Sequence, residues 1–124
     1  LQRFLQRALQ EDSLHIILFG ANSILLDKVE RLVPRKRMAY ILDNNQALQG
    51  KKVHGLPVYA PAHLAEERKG SFAVIVMSKK HYDAIARQLS AMGFTENTDF
   101  YDARALLSER DGGYYQENRI RGFC

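Results

Sequence analysis

Apolar residues along this chain come in short unbroken runs separated by segments with helical spacing. His15, Ile16, Ile17, Leu18 and Phe19 form one run closed by Gly20, the pattern of a strand covered on both faces in a parallel sheet. Asn22 or Ser23 can cap a following helix whose apolar face is Ile24, Leu25, Val29, Leu32 and Val33, with Pro34 as its stop. Met38, Ala39, Tyr40, Ile41 and Leu42 make a second run, ended by the turn cluster Asp43, Asn44 and Asn45. Strand, helix and strand within about thirty residues is the size of one right-handed crossover unit.

The middle of the chain is less regular. The stretch from Gln49 to Gly55 predicts an exposed loop, and Leu56, Pro57, Val58 and Tyr59 a short strand near a sheet edge, where proline is tolerated. Pro61 suits the first turn of a brief helix running through Leu64 and Arg68. Phe72 to Met77 is the second clear buried strand. After Ser78 comes a helix with Tyr82, Ile85, Ala86, Leu89 and Met92 on one face, closed by Gly93. Asp99, Phe100 and Tyr101 predict a last short strand, and Ala103 to Ser108 a final helical turn or two.

This alternation predicts an α/β fold, a three-layer Rossmann-like arrangement around a mostly parallel sheet of about five strands in the order 3-2-1-4-5. The expected organisation is an N-terminal helix over 1–13 with Phe4, Leu5, Ala8 and Leu9 on one face, the domain over 14–108, and a linker over 109–124. The start at Leu1 without methionine and the end at Cys124 suggest a piece of a longer polypeptide, with a fused neighbouring domain.

Composition narrows the class without changing this picture. The 124 residues, 46% hydrophobic and 26% charged, suit one domain with a core of ordinary size. No run approaches a membrane span, and the apolar content is too high for a disordered chain. One cysteine, Cys124, permits no internal disulfide and no cysteine-held zinc or iron-sulfur site within the chain. A soluble cytoplasmic domain is the simplest expectation. The net charge of +4 raises the question of an anionic partner. The basic residues are dispersed, however, with neither interleaved aromatics nor a helix-turn-helix or zinc-finger spacing, so no nucleic-acid partner is expected.

In a sheet of the predicted order, ligands sit at the carboxyl ends of the strands where the order reverses, and three loops fall there. In the first, Gly20, Ala21, Asn22 and Ser23, a glycine between strand and helix can bring backbone N–H groups towards an anion. Of the three glycines of the dinucleotide fingerprint only Gly20 is present, with Asn22 and Leu25 at the other two positions. Asp43 lies 23 positions after Gly20, near the spacing at which an acid accepts from ribose hydroxyls; the plainer reading of Asp43 and Asn44 is a strand-ending turn. Ser78 and Lys79 could hold a phosphate at a helix N-terminus, or serve as cap and solvated cation. The four histidines have no metal-ligand spacing, and no nucleophile elbow or Walker loop occurs. The chain therefore lacks a recognisable catalytic set.

Gly20-Ala21, Asp43 to Asn45, the stretch Gln49-Gly50-Lys51-Lys52-Val53-His54-Gly55-Leu56-Pro57-Val58-Tyr59, and later Val74 to Ser78 and Leu89 to Phe94 together resemble a known family. They are similar to the Rossmann-type nucleotide-binding domains associated with bacterial surface-sugar biosynthesis, over residues 14 to 107. Similar modules precede sugar-nucleotide dehydratases and sugar acyltransferases, and a related one ends sugar C-methyltransferases. The resemblance implies that Gly20, Ala21, Asn22, Ser23 and Asp43 line a nucleotide or sugar-nucleotide cleft, with NAD(P) or a nucleotide sugar as the ligand. The expected function is a nucleotide-binding accessory domain of a larger sugar or surface-polysaccharide enzyme, not itself catalytic and able to self-associate. The alternative is a structural or oligomerisation module whose degenerate cleft binds nothing. Asn22 and Leu25 depart from the small residues that relatives carry there.

Overall fold

The apolar runs form the strands of one sheet, and their alternation decides what each face carries. The computed structural model describes residues 14–21, 23–78 and 80–103, with the backbone alone for 23 and 24. The predicted helix over 1–13, the turns after Ala103, the linker over 109–124, Asn22 and Lys79 lie outside the described residues.

In chain order the elements are β1 (His15–Phe19), α1 (Ser23–Leu32), β2 (Met38–Leu42), β3 (Lys52–Val53), β4 (Leu56–Tyr59), β5 (Phe72–Val76), α2 (Tyr82–Ala91) and β6 (Phe100–Asp102). Short 3-10 turns occupy Arg35–Arg37 and Pro61–Glu66. The sheet runs β3-β4-β2-β1-β5-β6. β1 pairs in parallel with β2 and β5, β2 with β4, and β5 with β6, while β3 pairs antiparallel with β4.

Among the described residues the sheet therefore has six strands and is mixed, where the sequence predicts about five. The additional strand hides in the expected loop. His54 and Gly55, at φ +52° and +80°, supply the left-handed pair that closes a two-residue hairpin between β3 and β4. Lys52 pairs with Pro57 and Val53 with Leu56. Strand β4 is thus not the edge that Pro57 suggests: Val58 N–H donates to Lys51 C=O at 2.9 Å and Gly50 N–H to Val58 C=O at 2.9 Å. These bonds skip the position where proline has no N–H to give.

Along β1, Ile16 and Leu18 enter one apolar cluster and Ile17 and Phe19 another, so both faces of the strand are covered. Leu25, Leu26 and Val29 of α1 fill the first cluster, against Ile41, Val58 and Ile75. Of the two residues expected to end that face, Val33 is buried in the cluster, whereas Leu32, the last residue of the helix, is half exposed. The second cluster joins Tyr82, Ile85 and Leu89 of α2, and Leu64 of the turn after β4, to Tyr40, Leu42, Val74 and Phe100. The brief helix predicted from Pro61 through Arg68 is a 3-10 helix that stops at Glu66.

Helix α2 ends as its Gly93 predicts. With φ +97°, Gly93 lets its N–H reach Ser90 C=O at 3.0 Å and Phe94 N–H reach Leu89 C=O at 3.1 Å, the paired bonds of a Schellman cap. Phe94 then packs edge-on against Phe72 with ring centroids 5.4 Å apart. Beyond it, Asp99 is buried but satisfied, its Oδ2 accepting from Thr95 N–H at 2.8 Å with Lys69 Nζ at 3.9 Å. No described helix is long and apolar enough to cross a membrane.

Candidate functional site

Three parallel strands, β2, β1 and β5, lie side by side and end at the same edge of the sheet, and a cleft of about 440 Å³ opens there. Its floor is Phe19, Gly20 and Met77. Ala21 follows β1, Asp43 and Asn44 follow β2, and Ser78 follows β5; His81, Ala84, Ile85 and Gln88 of the α2 segment form the far wall. The volume falls within the range of small-molecule pockets.

The strand ends are tied together where the cleft begins. Gly20 N–H donates to Leu42 C=O at 2.7 Å and Met77 N–H to Phe19 C=O at 2.8 Å. Gly20 makes the turn at φ +111°, a region that L side chains rarely adopt. A Cβ there would meet Met77 Cβ at 3.4 Å, so conformation, more than space, is what asks for glycine.

Asp43 holds the first two loops together. Its Oδ2 accepts from Ala21 N–H at 3.0 Å, and its Oδ1 accepts from Asn45 N–H at 2.8 Å. Its own N–H donates to Tyr59 C=O at 3.1 Å and its C=O accepts from Gln49 Nε2 at 2.9 Å, which pins the backbone under the carboxylate. The glycine loop and the acid, read from sequence as two separate ligand contacts, are thus bonded to each other. Ala21 N–H is turned onto Asp43 and is not offered to an anion. A carboxylate has about four lone-pair sites, so each oxygen of Asp43 retains acceptor capacity towards a hydroxyl.

Across the mouth, Asn44 and Gln88 form a reciprocal amide pair: Asn44 Nδ2 donates to Gln88 Oε1 at 3.1 Å and Gln88 Nε2 to Asn44 Oδ1 at 3.0 Å. This links the loop after β2 to α2 over 44 positions of sequence. On the remaining side, Ser78 Oγ accepts from His81 N–H at 3.0 Å and closes the turn that leads into α2. The helix itself begins at Tyr82, so Ser78 caps this turn and not the helix.

Of the residues selected from sequence, Gly20, Ala21, Asp43, Asn44 and Ser78 line the cleft. Ser23 opens α1, while Asn22 and Lys79 lie outside the described residues. The loop from Ser78 to Tyr82 that the sequence places at the strand ends contains His81, but His81, Ala84, Ile85 and Gln88 are not among the residues assigned to the site. Their spacing of three, one and three places them on one helical face, which was legible, but that this face looks into the cleft was not.

Two further polar clusters lie elsewhere. His54 Nδ1 stands 3.2 Å from Glu30 and 3.9 Å from Asp27, docking the β3-β4 hairpin on α1, with Arg35 at 3.9 Å from Glu30. These three acidic and imidazole groups converge although no spacing announces them. Near β4, Tyr59 and His63 stack with centroids 4.1 Å apart, and both meet Tyr40 edge-on. Tyr40 OH donates to Glu67 at 2.8 Å. Burial first, then the hydrogen bond and negative charge of Glu67, push the Tyr40 hydroxyl well above its usual range.

No protein-family model matches the chain, and comparison with curated proteins finds no match.

Proposed function

We propose that the chain is a Rossmann-like, three-layer nucleotide- or sugar-nucleotide-binding domain, acting as an accessory module of a larger cytoplasmic enzyme of sugar or surface-polysaccharide biosynthesis. The observation that carries this reading is the cleft at the joint ends of β2, β1 and β5, into which five residues chosen for nucleotide contact converge. In open α/β sheets ligands bind at that position. Crossing from the β2 side of β1 to the β5 side also switches the connecting helix from the first cluster to the second, as a topological switch point requires.

In this reading Asp43 accepts the hydroxyls of a ribose or sugar diol through its remaining lone pairs. Ala21, Ala84 and Ile85 supply apolar surface, and Ser78 offers a hydroxyl at the opposite rim. The phosphates do not rest on Ala21 N–H, which Asp43 occupies. The domain binds and positions; the chemistry belongs to a neighbouring domain.

The second reading, a structural or self-associating module with a non-binding cleft, is favoured by one feature: Asp43, Asn44 and Gln88 already satisfy one another and the adjacent backbone. A thermal-shift panel of nucleotides, NAD(P) and nucleotide sugars separates the two. A ligand at a hundred times its Kd stabilises by about 2.7 kcal/mol. The nucleotide reading expects such a shift with at least one compound, weakened by Asp43→Ala; no shift with any compound at millimolar concentration supports the structural module instead.

A further inference from the structure

The mouth of the cleft carries a recognition element that the nucleotide reading leaves unused. Asn44 and Gln88 face each other with one donor and one acceptor apiece, at 3.1 and 3.0 Å. An adenine edge presents that same pattern, with an N6 hydrogen beside the N7 acceptor, and carboxamides pair with it through two bonds. An amide already holding such a pair is therefore set at the spacing a base edge needs. One turn before Gln88 on the same helical face, Ala84 and Ile85 line the cleft and offer an apolar ledge on which a flat ring can lie. Asn44 is the residue next to Asp43, so the nucleoside's sugar acceptor and its base reader are adjacent in the chain.

We propose that Gln88 and Asn44 select the base, and that the preferred ligand class is an adenine nucleotide whose base edge displaces one amide of the pair. The proposal rests on the nucleotide reading above and specifies it. Guanine fits less well: its major edge carries two acceptors and calls for an arginine or lysine, and among the described residues none lines the cleft. The exchange is also inexpensive. Both amides are solvent-accessible, so whichever one the base displaces is rehydrated and not stranded.

The test is equilibrium binding to the whole chain by titration calorimetry, with AMP, its 7-deaza and N6,N6-dimethyl analogues, UMP and GMP. AMP is expected to bind most tightly, and either analogue to bind roughly tenfold more weakly, the scale of losing one bidentate base contact. Of Gln88→Leu and Asn44→Ala, the variant that removes the amide reading the base should weaken AMP by a similar factor and erase the difference between AMP and its analogues. Discrimination between AMP and its analogues that survives both substitutions overturns the proposal. If AMP binds but the analogues bind equally well, or UMP or GMP binds as tightly as AMP, base selection by this pair is overturned while nucleotide binding stands. If none of the five compounds binds while a member of the thermal-shift panel does, this inference alone falls; if nothing in either set binds, the nucleotide reading falls and takes this inference with it.

Discussion

Replacing Asp43 by alanine tests the part of the site on which everything else leans. The carboxylate accepts two backbone N–H groups, from Ala21 at 3.0 Å in a partly buried position and from Asn45 at 2.8 Å in an exposed one. Hydrogen bonds to a charged acceptor are worth about 1.5–3 kcal/mol each, less where water replaces the lost partner. The exposed Asn45 N–H is rehydrated after truncation and contributes about 0.5 kcal/mol, while the Ala21 N–H contributes about 1.5 kcal/mol. Asp43→Ala should therefore destabilise the ligand-free protein by about 2 kcal/mol, lowering Tm by roughly 5–10 °C. Asp43→Asn retains one oxygen and should lose about half of this. Urea unfolding with an unchanged m-value measures both variants. A loss below about 0.5 kcal/mol for Asp43→Ala, the level of an ordinary surface substitution, would refute the claim that this carboxylate joins the two loops. Equal losses for alanine and asparagine would show that charge matters and geometry does not.

Three other perturbations probe separate parts of the structure. Leu89→Ala, at a fully buried position between α2 and the sheet, should cost about 3–4 kcal/mol in denaturant unfolding, more than any change at the cleft rim. Gly20→Ala should cost about 1–2 kcal/mol from its φ of +111°, read as a lower urea midpoint. Because Tyr40 has a raised pKa in the folded state, its contribution is complete below the unfolded value of about 10 and is lost as pH climbs above it. Tyr40→Phe should accordingly cost about 1 kcal/mol near neutrality through the lost bond to Glu67, yet fall less steeply than the parent between about pH 9 and pH 11.

Much of the architecture was legible because it is written in local patterns. The runs at 15–19, 38–42 and 72–76 are strands, and the helix after Ser78 stops at Gly93 because only a residue tolerant of positive φ completes that cap. The strand Lys52–Val53 escaped because two residues carry no periodicity; the hairpin exists through the left-handed turn at His54 and Gly55 and the partner it finds in β4. Gln88 escaped for a related reason. A glutamine on an amphipathic helix reads as solvated unless the packing of that helix is known.

The division at the cleft follows the range of the forces involved. The sequence by itself determined that Gly20 must end a buried strand in a turn, that Asp43 must close another, and that Tyr82, Ile85, Ala86, Leu89 and Met92 share a helical stripe, since each depends on backbone preference and spacing over a few residues. Only the tertiary structure decided that Ala21 N–H meets Asp43 and that Asn44 meets Gln88, because those encounters are set by strand register and by which face of the sheet covers each helix. Register and facing come from burying two apolar clusters at once. The polar groups at the strand ends then pair with whatever that burial brings within about 3 Å.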